Sequence, residues 1–140
     1  VSSIITLIKD CYNANPESMC NVLDFCSSLK NAGGKIYVLG DMLELGEKSC
    51  SEHERIALKA EESSPKLVLL VGSEMRHGFE AIQKKGFNNA EYIAAYDNDA
   101  IAAAGKKILM AAGDGDVVLV KASRGIALER IVSVIDGEEK

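Results

Sequence analysis

Three stretches of this 140-residue chain hold more polar chemistry than their positions require. Lys121-Ala122-Ser123-Arg124-Gly125 sets two cations and a hydroxyl directly after the apolar run Asp116–Val120. A Lys and an Arg placed this way can hold a carboxylate or a phosphate, the Arg through a bidentate fork. Their plainer use is to neutralise a nearby acid such as Asp10 or Asp41. The second stretch, Asp10-Cys11-Tyr12-Asn13-Ala14-Asn15-Pro16, connects an apolar run to a helical pattern. A strand-to-helix turn needs only a few turn residues, whereas this one carries an Asp, a Tyr and two Asn. Structural roles exist for each: Asp10 can satisfy backbone amides, Tyr12 can pack, and Asn15 is a favoured N-cap. The third, Gly40-Asp41-Met42-Leu43-Glu44-Leu45-Gly46, brings two carboxylates to another strand end.

Five apolar runs position these residues: Ile4–Lys9, Lys35–Leu39, Lys66–Val71, Tyr92–Tyr96 and Asp116–Val120. Continuous runs such as Leu67-Val68-Leu69-Leu70-Val71 suit strands buried on both faces of a parallel sheet. Helical periodicity fills the gaps. Met19, Val22, Leu23, Cys26 and Leu29 share one stripe, with Asn15 as N-cap, Pro16 in the first turn and Gly33-Gly34 as the stop. Further helices are expected over Ser51–Ser63, Ser73–Lys85 (stopped by Gly86), Asn98–Ala112 (stopped by Gly113) and Ala127–Ile135. In the last, Leu128, Ile131, Val132 and Ile135 should face inward. Strand–helix alternation implies βαβ units. The expected fold is therefore α/β: a Rossmann-like, doubly wound, mostly parallel sheet in a three-layer α/β/α arrangement, forming one domain over residues 1–140. A strand order of 3-2-1-4-5 is preferred to 2-1-3-4-5. In such sheets ligands bind at the carboxyl ends of the strands, where all three stretches fall.

Composition removes several function classes. Hydrophobic residues make up 47% and charged residues 26%, with 16 basic against 21 acidic side chains, so the net charge is −5. An acidic chain with few aromatics and no Trp argues against nucleic-acid binding. No apolar run reaches the ~20 residues of a membrane span. Cys11, Cys20, Cys26 and Cys50 form no C-x-x-C pair, which argues against zinc and for free thiols in a reducing cytoplasm. His53 and His77 lie too far apart for a local metal motif and read as solvated surface. Asp97 and Asp99 read as helix-starting residues. No G-x-x-x-x-G-K-[ST] or G-x-G-x-x-G is present, so the chain has no phosphate cradle of its own. A receiver-type module would suit Asp10 and Lys121 but would want an Asp where Gly72-Ser73 follows the third strand.

"DCYNANPESM", "VLGDMLELGE" with His53 after it, and "VLVKASRG", in that order, resemble the C-terminal domain of the Mur ligases. The nearest resemblance is to the branch that joins D-alanyl-D-alanine to UDP-N-acetylmuramoyl-tripeptide. It covers nearly the whole chain and implies a cytoplasmic, three-domain enzyme of peptidoglycan synthesis. In that family a missing N-terminal domain would hold the UDP-sugar, and a missing central domain would bind most of ATP and Mg2+. The chain starts at Val1 close to its first strand, which fits a piece excised from that longer enzyme. The resemblance puts Asp10, Tyr12, Asn13 and Asn15 beside the adenosine part of ATP, Asp10 on the ribose hydroxyls and Tyr12 or Asn13 on adenine. It puts Lys121, Ser123 and Arg124 near the incoming dipeptide, and leaves Asp41 and Glu44 without a defined role. Ala122 replaces a common Gly, and Ile126-Ala127 replaces a common Met-Arg. No catalytic residue and no metal ligand is expected in this domain alone, which should be inactive by itself. The rival expectation is a standalone nucleotide-binding or regulatory α/β module of flavodoxin or receiver type.

Overall fold

The computed structural model describes residues 6–9 and 14–138. Ile4 and Ile5 of the first expected strand, and the loop residues Asp10, Cys11, Tyr12 and Asn13, lie outside them. Within the described residues, five strands form one sheet: β1 (Thr6–Lys9), β2 (Lys35–Gly40), β3 (Leu67–Val71), β4 (Ala90–Ile93) and β5 (Val117–Lys121). All its neighbouring pairs are parallel. Five α-helices among the described residues connect and follow them: α1 (Pro16–Ser28), α2 (Ser49–Glu62), α3 (Met75–Lys84), α4 (Asn98–Ala111) and α5 (Arg130–Glu138).

Side-chain alternation along the strands builds two cores. Tyr37, Leu39, Val68, Leu70 and Leu119 face α1, α2 and α3, where they meet Met19, Leu23, Cys26, Ile56, Met75 and Ile82. Ile36, Val38, Leu69, Val71, Val118 and Val120 face α4 and α5, against Ile101, Ile108, Ile131 and Ile135. The period of two in the strands meets the helical stripes on both faces, giving the three layers expected.

The strand order is β1-β5-β2-β3-β4, which corrects the expected 3-2-1-4-5. Burial explains the difference. β2, β3 and β5 are buried almost throughout, whereas β1 is exposed at Thr6 and Lys9 and β4 at Glu91. A strand buried on both faces belongs inside the sheet, and one carrying polar residues tolerates an edge. β5 therefore inserts between β1 and β2, in register with both (Lys9 beside Val120, Leu39 beside Lys121).

Several boundaries move for local reasons. α1 ends at Ser28, with Leu29 already extended, so Gly33-Gly34 does not stop it. Those glycines instead make room for Asp116: a Cβ on Gly33 would lie 2.2 Å from Asp116 Oδ1. Gly113 likewise donates its N–H to Asp116 Oδ2 at 2.8 Å. β4 begins two residues early because Ala90 pairs with Val68. Before α5, a 3-10 turn covers Arg124–Ile126 and Ala127 adopts φ 54°, which delays the helix to Arg130. Val134, rather than Val132, packs on the α4–α5 core, filling the space left by Gly105.

Candidate functional site

The order β1-β5-β2 sets side by side the three strands that carry the three polar stretches. Around them the helices change face: α1 and α2 follow β1 and β2 onto one side, and α5 follows β5 onto the other. Where the chain leaves adjacent strands for opposite faces, open α/β sheets bind ligands in a crevice at the carboxyl ends of the strands, which makes this rim the candidate site.

The middle of this rim is a short strap, residues 41–43, whose every backbone N–H has a specific acceptor. Asp41 N–H donates to the Val71 carbonyl at 3.1 Å. Met42 N–H donates to His53 Nε2 at 2.9 Å. Leu43 N–H donates to Ser123 Oγ at 2.8 Å. In return Ser123 N–H donates to the Asp41 carbonyl at 3.0 Å, and Ser123 Oγ lies 3.4 Å from the Ala14 carbonyl. Ser123 thereby ties together the loops after β1, β2 and β5.

The Asp41 side chain is buried and points away from the crevice, into the first turn of α3. Its Oδ1 accepts Met75 N–H at 2.9 Å. α3 has no capping side chain of its own, so a carboxylate from another loop serves its positive end. Burial pushes the Asp41 carboxyl above its ordinary range, against the opposing pull of the Met75 and Glu74 amides. Gly72 is part of this seat. It adopts φ +112°, and a Cβ there would fall 2.4 Å from the Asp41 carboxylate.

His53 is not solvated surface, as the sequence suggested, but fully buried. It sits on the inward stripe of α2 with Ile56, Ala57 and Ala60. Accepting from Met42 at Nε2 requires the proton on Nδ1, which faces the Ser49 carbonyl at 2.7 Å. Ser49 Oγ in turn donates to Glu74 Oε1. The spacing of His53, Ile56, Ala57 and Ala60 on one helical face was the available signal for this burial.

Lys121 ends β5 and is buried. Arg124 is exposed, on the 3-10 turn. Glu44 is exposed and adopts φ 65°, an unfavourable conformation for a side-chain-bearing residue. Asn15 caps α1: its Oδ1 accepts Ser18 N–H at 2.8 Å, while Asn15 N–H donates to Ser18 Oγ at 3.1 Å. The NH2 half of its amide takes no part in the capping. Asp97 caps α4 as expected, accepting Ala100 N–H at 2.9 Å. Arg130 is a rim residue that the sequence did not single out. Its guanidinium donates to the Ala127 and Ile126 carbonyls, to Asn98 Oδ1 and to the Tyr96 carbonyl, joining the loops after β4 and β5. Among the described residues, no group of three His, Cys, Asp or Glu side chains could hold a metal ion, and no helix is long and apolar enough to cross a membrane.

A family model for the Mur ligase glutamate ligase domain matches residues 1–124. The chain is a Mur ligase C-terminal domain. Its similarity extends to the UDP-N-acetylmuramoyl-tripeptide--D-alanyl-D-alanine ligase of Treponema pallidum, 35% identical over 99% of this chain and 29% of the relative. The ligase of the same name from Bacillus subtilis is 33% identical over 91% of the chain and 27% of its own length. Among solved structures, a MurF ligase from Thermotoga maritima in complex with ADP superposes with a TM-score of 0.77 at 26% identity, over 96% of this chain and 28% of that one. The Mur ligase domain thus spans under a third of the length of these relatives.

Proposed function

We propose that this domain serves an ATP-dependent ligase that joins D-alanyl-D-alanine to UDP-N-acetylmuramoyl-tripeptide in the cytoplasm, as a step in peptidoglycan synthesis. The observation that carries the proposal is the placement of β5 between β1 and β2, which sets side by side the three strands that the motif stretches follow in sequence. The relatives' names supply the substrates. In this reading ATP phosphorylates the tripeptide carboxylate, and the amine of the dipeptide attacks the acyl phosphate. The domain contributes orientation and charge neutralisation rather than a nucleophile.

Asp10, Tyr12, Asn13 and Asn15 are assigned to the adenosine side. The ADP bound in the Thermotoga relative supports nucleotide use by such enzymes. Lys121, Ser123 and Arg124 are assigned to the dipeptide side. Arg124 is the exposed cation of the three, and its planar fork matches the terminal carboxylate. Ser123 shapes the turn that presents it. Mg2+ would balance the phosphate charge. Its site is assigned to the central domain of the complete enzyme.

The test is steady-state kinetics of the complete enzyme with the dipeptide varied. Arg124→Lys is expected to raise KM for D-alanyl-D-alanine about tenfold or more, the loss of a charge-assisted hydrogen bond, and to leave KM for ATP nearly unchanged. Unchanged dipeptide KM with a slightly lowered melting temperature would instead make Arg124 a brace of the rim.

A further inference from the structure

Buried His53 is not among the residues assigned to either substrate, yet it holds the centre of the strap on which the dipeptide side rests. Three consecutive residues form that strap. The outer two grip Ser123, Asp41 through its carbonyl and Leu43 through its N–H. The middle one, Met42, donates its N–H to His53 Nε2 at 2.9 Å. The imidazole is fixed from behind. Nδ1 faces the Ser49 carbonyl at 2.7 Å and Ser49 Oγ at 3.2 Å, and that hydroxyl donates to Glu74. One tautomer satisfies both ring nitrogens, Nδ1 protonated and Nε2 accepting.

Asp41 and Leu43 cannot locate Ser123 unless the strap itself is located. The Asp41 end is held by Val71 and Met75. Two residues beyond Met42 the chain enters the strained conformation of Glu44, φ 65°, which regular backbone pairing does not support. Between these points His53 holds the strap at Met42, independently of Ser123. Without its acceptor, Met42 N–H would be left buried and unsatisfied, a state that chains avoid by moving.

We propose that His53 is a positioning residue for the dipeptide side of the site, acting through Met42 and Ser123 on the turn that carries Arg124. This rests on the functional reading above, so the test needs one readout that does not depend on it.

Glutamine and asparagine at position 53 separate the two ends of the imidazole. A Gln carboxamide oxygen can reach the place of Nε2 and accept from Met42 N–H. The shorter Asn can donate to the Ser49 carbonyl in place of Nδ1 but does not reach Met42. In the 140-residue chain, nitrogen-detected NMR is expected to show the Nδ1-protonated tautomer. Amide exchange at Met42 and Leu43 should be slow in the wild type and His53→Gln, and faster by about tenfold or more in His53→Asn and His53→Ala. In the complete enzyme, His53→Asn is expected to raise KM for the dipeptide about tenfold, with KM for ATP unchanged and His53→Gln close to wild type. Equal melting losses in Gln and Asn, with equal exchange at Met42 and Leu43, would overturn the proposal by reducing His53 to a packing residue. Exchange that follows the expected order while dipeptide KM does not would confirm the strap and refute its link to the dipeptide. Should Ala fail to fold, the Gln–Asn pair still decides.

Discussion

Asp116→Asn probes the opposite end of the sheet from the crevice. Asp116 is buried just before β5, and one carboxylate serves three donors. Lys66 Nζ lies at 2.6 Å from Oδ2, Gly113 N–H at 2.8 Å from the same oxygen, and Gly34 N–H at 2.7 Å from Oδ1. Asn keeps the shape but turns one oxygen into an NH2. That group must face either Gly34 N–H or the Gly113–Lys66 pair, donor against donor. Leaving a buried N–H unsatisfied costs about 1–3 kcal/mol. The lost Lys66 contact adds up to about 1 kcal/mol, since the lysine is 42% exposed and screened by solvent. The expected loss is therefore roughly 1–4 kcal/mol, a large part of the ~5–15 kcal/mol available to a domain. The pH dependence has a definite sign. Burial raises the Asp116 carboxyl, but Lys66 and the amides of Gly113 and Gly34 together outweigh it and hold the group below its ordinary range. A depressed carboxyl contributes stability that is present above its unfolded value of ~3.9 and is lost as pH falls through the folded value. The gap between wild type and Asn should thus be constant above about pH 5 and shrink below ~3.9. Urea unfolding followed by circular dichroism measures it, because the chain has no Trp for fluorescence. A gap under about 0.5 kcal/mol at neutral pH, or one that does not narrow in acid, would refute the reasoning.

Gly72→Ala should be among the most damaging single-methyl additions: it strains a φ of +112° and its Cβ displaces the Asp41 carboxylate from Met75 N–H, for roughly 2–5 kcal/mol together. Gly86→Ala is the control, with φ +94° but nothing within 4 Å, so urea unfolding of the pair isolates the Asp41 seat. Glu44→Gly should raise stability by about 0.5–1 kcal/mol by relieving a left-handed residue, read by the same assay, and a loss would show that the Glu44 side chain holds the loop. In the complete enzyme, Asp10→Asn should raise KM for ATP by about ten- to hundredfold and spare the dipeptide, and unchanged ATP kinetics in a folded variant would remove Asp10 from the ribose.

The layers of the fold were legible because they depend on local periodicity. The stripe Met19–Leu23–Cys26 and the run Leu67–Val71 state directly how many faces they bury. Strand order was not read, although a clue was present in the polar ends of β1 and β4. The order depends on which runs can tolerate an edge, and the hydrophobic pattern has to be compared across the whole chain to show it. Glycines were misread where their use is tertiary. Gly33 looks like a helix stop in sequence but makes room for the Asp116 carboxylate, while Gly113 follows the cap of α4 as expected and also donates to that carboxylate. His53 was misjudged for a similar reason: histidine is polar by type, and its burial follows from the company of Ile56, Ala57 and Ala60 on the same face. Arg130 gave no signal at all, because its partners are mostly backbone carbonyls, which no residue type announces.

The two ends of β5 divide the work of the domain. At its start, Asp116 is enclosed by glycine amides and a lysine, an arrangement that fixes the strand in the sheet. At its end, the backbone turns through Ser123 into a 3-10 segment whose cation is exposed. A rigid start and an exposed finish are what a presenting element requires: the position of Arg124 relative to the crevice is only as fixed as β5 itself. The strap from β2 then adds the second coordinate, gripping Ser123 by both its N–H and its hydroxyl. Side chains buried for stability and side chains exposed for binding thus lie on one short strand. A substitution at the Asp116 end should therefore loosen the Arg124 end as well, and should do so before it unfolds the domain.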